Sequence, residues 1–306
     1  MLMDALFLCK QRWFDMKKSF EIREHAQSVY DVTHNGAGSV FTCSGDGFVV
    51  AWDLLLAKQS GFVVKTSVPA YSLSSSDQML FVGLSNGDLH WVDLYSKQEI
   101  RFFTQHKSAI FRLVYDATSQ RLLSTDADGF VGIWNVYSGK LEIFFQLPSG
   151  KIRAAAFSND SNQLALGGQD GMIYIFETNY FNETHRFFAH QEGVSSLAYH
   201  PQKNVLVSGG KDAYLRSWDC DTWLKEKAFP AHLFAIYDIV FSLNKQLFAT
   251  CSRDKSIKIW NANNFEIVEK LDRKNEGHQH SVNALLWNEN GLISVSDDRR
   301  VILWNN

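Results

Sequence analysis

Apolar and polar residues alternate over short stretches along the whole chain, and this pattern predicts β-strands. In the segment FVVAW, Phe48, Val50 and Trp52 fall on one face of an extended strand. The segment TCSRDKSIKIWN, residues 250–261, shows how two such strands are joined. One strand leads into a polar turn that carries Asp254, and the next strand ends in Trp-Asn. We therefore expect a series of antiparallel strands linked by polar turns.

This strand–turn–strand unit recurs seven times. Close copies span 42–53, 124–135, 208–219, 250–261 and 294–305, and weaker copies span 82–93 and 166–177. The turn position, which lies 40 to 44 residues after the previous one, is occupied by Asp46, Asn86, Asp128, Asp170, Asp212, Asp254 and Asp298. Seven copies of a unit of about forty residues that ends in a Trp-Asp type of signature predict a β-propeller.

On these units the sequence resembles the WD40-repeat family over nearly the whole chain. The resemblance implies an all-β fold, a seven-bladed propeller of the WD40 type. Residues 1–16 match no repeat and are predicted to be an N-terminal extension, and 17–306 are predicted to form one propeller domain. The expected blades are approximately 25–66, 67–105, 106–147, 148–189, 190–231, 232–277 and 278–306 plus 17–24.

The last repeat has no fourth strand, because the printed sequence stops two residues after Trp304. A spare strand is predicted at 17–24, and we expect it to pair with the strand Val301–Trp304. This pairing would close the ring and cover strand edges that otherwise invite aggregation.

Five repeats share a set of four polar or aromatic residues: a His, a Ser or Thr, the turn Asp and a Trp. The sets are His25 with Thr42, Asp46 and Trp52; His106 with Ser124, Asp128 and Trp134; His190 with Ser208, Asp212 and Trp218; His232 with Thr250, Asp254 and Trp260; and His278 with Ser294, Asp298 and Trp304. In the family such residues form a hydrogen-bonded network through each blade. The chemistry agrees, since Trp donates, a hydroxyl both donates and accepts, and His can link hydroxyl to carboxylate.

In each of the two weak repeats, the Trp, the hydroxyl residue and the His of the set are all replaced. One has Val92, Val82 and Thr66 at the Trp, hydroxyl and His positions, and the other has Phe176, Leu166 and Pro148. Loss of the whole network is expected because a partly satisfied buried network leaves costly unpaired groups. A His-Asp-Ser set also suggests catalysis, but five copies at one structural position favour a structural role, because a catalytic site is normally single.

The resemblance further implies that the face with the His loops and Asp turns recognises partners. Three positions per blade point into it: three and five residues after the His, and the residue before the turn Asp. These positions carry an aromatic group, Tyr30, Tyr71, Phe111 and Tyr237, and a basic group, Lys151, Arg153, Lys211 and Arg253. Aromatic and Arg side chains are enriched at binding hot spots, so we expect a surface for a protein or peptide with acidic and apolar elements.

We therefore predict a non-catalytic scaffold or adaptor without cofactor or metal. The first alternative is a small-molecule-binding or hydrolytic propeller with a site in the central channel. That alternative needs ionisable groups on the innermost strands, which are expected to be mostly apolar or small. The second alternative is RNA binding, with the aromatic group as a stacking platform beside the basic group.

Composition sets the remaining expectations. The net charge of -3 does not favour nucleic acid, and no apolar run reaches the roughly twenty residues of a membrane helix. The four cysteines have neither disulfide-framework nor zinc spacing, which indicates a reducing compartment and so the cytoplasm. We expect a monomer that does not associate with membranes.

Overall fold

In the computed structural model, residues 15–36, 38–54 and 56–306 are described, and they form seven four-stranded antiparallel sheets. The first fourteen residues, most of the predicted N-terminal extension, lie outside the described part of the chain.

Within the described ranges, the strands follow one another with a single short 3-10 helix, Arg273–Asn275, before β26. Their bounds are β1 (Lys17–Ile22), β2 (Val29–His34), β3 (Val40–Ser44), β4 (Phe48–Asp53), β5 (Lys58–Lys65), β6 (Ala70–Ser75), β7 (Met79–Leu84), β8 (Leu89–Asp93), β9 (Gln98–Phe103), β10 (Ile110–Asp116), β11 (Arg121–Asp126), β12 (Phe130–Asn135), β13 (Lys140–Gln146), β14 (Ile152–Phe157), β15 (Gln163–Gly168), β16 (Met172–Glu177), β17 (Glu183–Phe188), β18 (Val194–Tyr199), β19 (Val205–Gly210), β20 (Tyr214–Asp219), β21 (Lys225–Pro230), β22 (Ile236–Phe241), β23 (Leu247–Ser252), β24 (Ile257–Asn261), β25 (Ile267–Leu271), β26 (Val282–Asn288), β27 (Gly291–Ser296) and β28 (Val301–Asn305).

Each sheet is one blade of a propeller. Blades 1 to 6 take four consecutive strands each, from β2–β5 to β22–β25, and blade 7 combines β26, β27 and β28 with β1. The first strand of every blade contacts the first strands of both neighbouring blades, so the seven first strands line a central channel. The predicted all-β, seven-bladed fold is confirmed.

The N-terminal strand closes the ring as predicted. Strand β1 pairs antiparallel with β28, with Lys17 opposite Asn305 and Ile22 opposite Val301. Met16 is also buried and packs in the cluster between blades 6 and 7, so this residue of the predicted N-terminal extension takes part in the core.

Arg300 fastens this closure. Its guanidinium lies 3.0 Å from Glu21 on β1 and 2.8 Å from Asp298, and it donates to the Gly277 carbonyl at 2.6 Å. Arg300 is only 4% exposed, and a cation at that depth requires such partners.

The core lies between the blades. Seven apolar clusters fill the seven spaces between neighbouring sheets. Strand β4 shows how one strand contributes to two of these clusters. Val50 and Trp52 pack towards blade 7, whereas Val49 and Ala51, on the other face of the strand, pack towards blade 2. Because both faces of a blade are covered, most residues of its middle strands are buried.

Every innermost strand contains an irregularity in the same place. The register with the second strand shifts at the second residue of the innermost strand in all seven blades, as expected for a β-bulge. The residues at the shift are Tyr30, Tyr71, Phe111, Arg153, Ser195, Tyr237 and Asn283. All seven line one cavity at the mouth of the channel, so the bulge directs one side chain per blade into it.

Candidate protein-binding face

Polar networks fix the loops of one face. In blade 1, Trp52 Nε1 donates to Thr42 Oγ1 at 2.7 Å, and that oxygen lies 2.8 Å from His25 Nε2. His25 Nδ1 lies 3.1 Å from Asp46 Oδ2, which also accepts the Ala26 backbone N–H at 2.8 Å. The network therefore ties the His loop to the Asp turn across the blade.

Blade 5 repeats these contacts and adds a partner. Trp218 is buried and its Nε1 donates to Ser208 Oγ at 2.9 Å, and that oxygen lies 2.8 Å from His190 Nε2. His190 Nδ1 lies 2.9 Å from Asp212. Arg216, which the predicted set did not include, lies 2.9 Å from the same carboxylate. The network of blade 5 thus has five members.

Blades 6 and 7 bring together the four residues of their sets. The separations between bonded atoms lie between 2.8 and 3.0 Å in both blades. The members are His232, Thr250, Asp254 and Trp260 in blade 6, and His278, Ser294, Asp298 and Trp304 in blade 7.

In blade 3, one predicted member of the polar set is wrong. His106 and Trp134 bond to Ser124, each at 2.8 Å, but His106 Nδ1 reaches Asp126 Oδ2 at 2.7 Å and not Asp128. Asp126 ends strand β11 and is fully buried, whereas Asp128 is exposed at the turn. The spacing of the repeats pointed to Asp128, because it aligns with the turn Asp of the other blades.

All hydrogen bonds of these networks can form when the imidazole is neutral. Nδ1–H donates to the carboxylate, Nε2 accepts from the hydroxyl, and the same hydroxyl oxygen accepts the indole N–H. Burial lowers the pKa of His25, His190, His232 and His278 in spite of the neighbouring Asp. Burial by itself would raise the pKa of Asp212, but its hydrogen bonds with His190 and with the Tyr214 N–H, together with the charge of Arg216, bring it down to about 2.

A catalytic role for these sets has no geometric support. The hydroxyls that would act as nucleophiles belong to residues with 0% exposure in all five networks, namely Thr42, Ser124, Ser208, Thr250 and Ser294. A substrate could reach them only by opening the blade. The networks are therefore structural, and they hold the loops of the face in one arrangement.

Blades 2 and 4 lack the network but do not lose every part of it. In blade 4 the turn Asp170 keeps a partner, because the Tyr174 hydroxyl donates to it at 2.6 Å. In blade 2 the Thr66 hydroxyl bonds to backbone carbonyls of Gly47 and Val68. The expectation that the set disappears as a unit holds for the His, hydroxyl and Trp, while Asp170 is satisfied from a different position.

A second repeated contact joins the predicted recognition positions. The N–H of the residue before the turn marker donates, at 2.9 to 3.1 Å, to the carbonyl of the residue three after the His position. The pairs are Gly45–Ser28, Ser85–Pro69, Ala127–Ala109, Gln169–Lys151, Lys211–Gly193, Arg253–Ala235 and Asp297–Ser281. Each blade therefore presents these positions side by side.

The aromatic and basic groups meet at the channel mouth. The rings of Tyr30 and Tyr71 touch edge to face with centroids 4.9 Å apart, and Tyr71 stacks on Phe111 at 5.8 Å. The Arg153 guanidinium lies 3.8 Å from the Phe111 centroid. With Tyr237 these side chains line a cavity of about 340 Å³.

The remaining basic residues lie at the rim and not in the cavity. Lys151 Nζ is 6.0 Å from the Phe111 ring, and the Arg253 guanidinium is 5.9 Å from the Phe234 ring. Lys211 is exposed on the turn of blade 5. Desolvation at the channel wall lowers the pKa of Arg153, although this side chain is still open to water from the mouth.

The channel also holds ionisable side chains that the expected apolar innermost strands did not include. Arg112 Nη2 lies 3.9 Å from Asp238 Oδ1 across the channel, and Asp31 and Arg112 line the cavity. Burial raises the pKa of Asp31 to about 6, while the charge of Arg112 opposes the rise. Asp31 and Arg112 stand in the segments SVYDV and AIFRLVY, whose other residues are mostly apolar or small, so the pattern of these segments does not single them out.

Both channel carboxylates already have backbone partners. Asp31 accepts the N–H of Val32 and of Leu73 in the next blade, and Asp238 accepts that of Ile239 and of Leu285 in the next blade. They therefore join neighbouring blades through side-chain to backbone hydrogen bonds.

Comparison with known proteins agrees with this architecture. The family model described as WD domain, G-beta repeat matches residues 16–53, 97–135, 139–177, 181–219, 223–261 and 269–305. The chain belongs to the WD40 repeat family. No match covers 54–96, which contains β5 of blade 1 and the first three strands of blade 2, where the His, hydroxyl and Trp positions are all replaced.

Relatives in this WD40 family include WD repeat-containing protein 55. The Rattus norvegicus protein is 27% identical over 124 residues, which cover 40% of this chain and 32% of the relative. The Bos taurus protein is 24% identical over 178 residues, which cover 57% of this chain and 47% of the relative. The Dictyostelium discoideum homolog is 22% identical over 182 residues, which cover 58% of this chain and 43% of the relative. The chain thus spans less than half the length of the relatives it matches.

Two kinds of feature are missing from the described ranges. No helix among these residues is long and apolar enough to cross a membrane. Within the same part of the chain, no group of three or more His, Cys, Asp or Glu side chains is placed to hold a metal ion.

Proposed function

We propose that this WD40 propeller is a non-catalytic adaptor that binds protein or peptide partners on the face of the His loops and Asp turns. The observation that carries the proposal is the unbroken series Tyr30, Tyr71, Phe111 and Arg153 across four consecutive blades. Large aromatic rings beside an Arg at a concave mouth have the composition of a binding hot spot.

The charge of the face supports this function. No hydrogen bond or ion pair joins Arg153 or Arg253 to a carboxylate within the described chain, and both guanidinium groups lie near aromatic rings instead. Arg and Lys in proteins usually gain stability from an anionic partner when they are partly desolvated. The missing anion is supplied in this proposal by the bound protein.

The rigidity of the face supports it as well. Five buried networks and seven backbone hydrogen bonds fix the loops, so little conformational entropy is lost when a partner binds.

Quantitative affinity capture from cell lysate tests the proposal. The bait is the full chain, compared with a double variant of the face, Tyr30→Ala with Phe111→Ala. The matched control changes Leu224→Ser and Lys225→Gln, two exposed residues beside the turn between β20 and β21, which lies at the opposite end of the strands. We expect specific partners to be lost with the first variant and kept with the control. Partners that depend only on the control positions would place binding on the other face.

A further inference from the structure

The loop that follows the network His differs in one blade. The two residues after the His position are Ala26-Gln27, Ser67-Val68, Lys107-Ser108, Ser149-Gly150, Gln191-Glu192, Leu233-Phe234 and Gln279-His280. Among these seven loops, all in the described ranges, only that of blade 6 exposes two large apolar side chains, with Leu233 at 83% and Phe234 at 55%. The half-buried Val68 packs into the cluster between blades 1 and 2.

The backbone of this loop is fixed. The Leu233 N–H donates to Asp254 at 3.0 Å, and the Ser252 hydroxyl donates to the Phe234 carbonyl at 3.0 Å. The two side chains are therefore held outwards by the same network that orders the other loops. Exposing them costs solvation free energy that a covering partner would recover.

Cations adjoin this apolar pair and continue to the channel mouth. The Arg253 guanidinium lies 5.9 Å from the Phe234 ring centroid. Tyr237 and Arg153 line the same cavity at the mouth. Burial raises the pKa of Tyr237, and the charges of Arg253 and Arg153 oppose this rise. The series Arg153, Tyr237, Arg253, Phe234 and Leu233, called the blade 6 strip below, therefore runs from the mouth to the rim.

The charges around the mouth give this strip a direction. Asp31 of blade 1 and Asp297 of blade 7 also line the cavity at the mouth. An anionic group is repelled by these carboxylates and attracted towards the guanidinium groups of Arg153 and Arg253.

We propose that the blade 6 strip binds a protein segment in which an acidic side chain lies one or two positions from a large apolar side chain. The inference deepens the proposed adaptor function and rests on it. The acidic group would pair with Arg253 or Arg153, and the apolar group would cover Phe234 and Leu233. The spacing follows from the 5.9 Å between the Arg253 guanidinium and the Phe234 ring, since an extended chain advances about 3.3 Å per residue.

A protein segment fits this strip better than a nucleic acid. Nucleic-acid affinity grows with the number of phosphates that are neutralised, and the strip has only two arginines, while Asp31 and Asp297 line the same mouth. A single carboxylate needs only one of these arginines, whereas a longer polyanion would also meet the two Asp side chains.

The test is selection of a phage library of random dodecapeptides on the full chain. We expect enriched peptides to share an acidic and a large apolar residue at the predicted spacing. A fluorescein-labelled enriched peptide is then titrated by anisotropy against the wild type and its variants.

Each variant has a separate expected effect. Phe234→Ser should weaken binding by about thirtyfold, as for a hot-spot residue. Arg253→Gln should weaken it by about tenfold and reduce its sensitivity to salt, as for a desolvated charge partner. The control, Leu224→Ser with Lys225→Gln, should leave the affinity unchanged.

The outcomes separate this inference from the proposed function. The blade 6 strip would be ruled out as the binding site if the enriched peptides lacked the motif. It would also be ruled out if they bound the Phe234→Ser variant unchanged but lost affinity for the Tyr30→Ala variant. In both cases the proposed binding face would still stand. Peptides sensitive only to the Leu224 and Lys225 control would overturn both. Tighter binding of an oligouridine RNA or of phosphatidylserine-containing vesicles, lost in Phe234→Ser or Arg253→Gln, would also overturn the strip as a protein site.

Discussion

Asp126 makes, with one side chain, the contacts that two side chains make in blade 1. There Ser44 Oγ accepts the Asp46 N–H, and Asp46 contacts both His25 and the Phe48 N–H. In blade 3, Asp126 Oδ1 accepts the N–H groups of Asp128 and Phe130, and its Oδ2 bonds to His106. A carboxylate two positions earlier can therefore serve both the turn and the network.

The first prediction compares the two carboxylates of this turn. Asp126→Ala should lower the free energy of unfolding by about 3 kcal/mol, because a buried imidazole and two backbone N–H groups lose their hydrogen-bond acceptor. Asp128→Ala should cost less than about 0.5 kcal/mol, as for an exposed side chain. Urea unfolding of both variants measures the difference, and equal losses would contradict the bonding in blade 3.

The second prediction concerns the Trp positions. Trp260→Phe should cost about 1–3 kcal/mol, because the buried Thr250 hydroxyl loses its 2.9 Å bond with the indole. Phe176→Trp in blade 4 should also destabilise, since Phe176 is buried and Leu166 offers no hydroxyl to the new N–H. Thermal melting checks both variants. A stabilised Phe176→Trp protein would show that the indole does not depend on the hydroxyl of its own blade.

At the scale of elements, blade 7 depends on two ends of the chain. Strand β1 supplies its outer strand, Ile22 and Met16 supply apolar packing, and Glu21 supplies a partner for the buried Arg300. The described contacts of this region begin at residue 15, whose N–H donates to Asn306 Oδ1 at 3.0 Å.

The third prediction follows for truncations. Deleting residues 1–14 should change the melting temperature little. Deleting residues 1–24 should lower the free energy of unfolding by about 3–6 kcal/mol, from the lost burial of Met16 and Ile22 alone. The exposed edge of β28 should also promote aggregation. Differential scanning calorimetry and light scattering test this, and equal melting of both truncations would rule out closure by β1.

At the scale of the whole molecule, burial creates two opposite responses to pH. The lowered pKa values of His25, His190, His232 and His278 mean that the folded state binds fewer protons than the unfolded state. Their contribution to stability is therefore present above about pH 6.5 and is lost as the pH falls. Asp31, with its pKa raised to about 6, acts in the opposite sense, and its contribution is present at low pH and is lost as the pH rises through about 6.

The fourth prediction uses this opposition. The wild type should lose free energy of unfolding between about pH 7.5 and about pH 5.5, because the histidines outnumber Asp31. The Asp31→Asn variant should lose more free energy of unfolding over the same interval, because it lacks the proton uptake by Asp31 that partly offsets the loss in the wild type. Urea unfolding at a series of pH values gives both slopes. A shallower slope for Asp31→Asn would show that Asp31 does not take up a proton in this interval.

The fifth prediction concerns the binding face as a whole. Charge reversal at Arg153 or Arg253 should slow association with a partner, because charges steer the encounter. Tyr30→Ala or Phe111→Ala should speed dissociation, by about 2 kcal/mol in affinity for a hot spot. Surface-plasmon kinetics with the captured partner separate the two effects. Loss of binding only in the Leu224 and Lys225 control would contradict the placement on this face.

The sequence by itself determined the blades, because a period of about forty residues, alternation within strands and polar turns all depend on local order. It also determined which residues could form networks, since the hydroxyl and the Trp lie ten residues apart on paired strands of one hairpin, as in Thr42 and Trp52 or Ser208 and Trp218. The spare strand at 17–24 indicated closure by the same logic of pairing, and the structure confirms it with β1.

Only the tertiary structure decided which of the candidate groups meet, within a blade and across the channel. Asp126 and Asp128 lie in one turn, and the reach of His106 selects between them. Arg112 and Asp238 are far apart in sequence, and only the closed ring brings them to 3.9 Å across the channel. The exposure of Phe234 likewise depends on the neighbouring loops. Local patterns specify strands, but distances between blades follow from the packing of all seven, and this is why the channel and the binding surface required the fold.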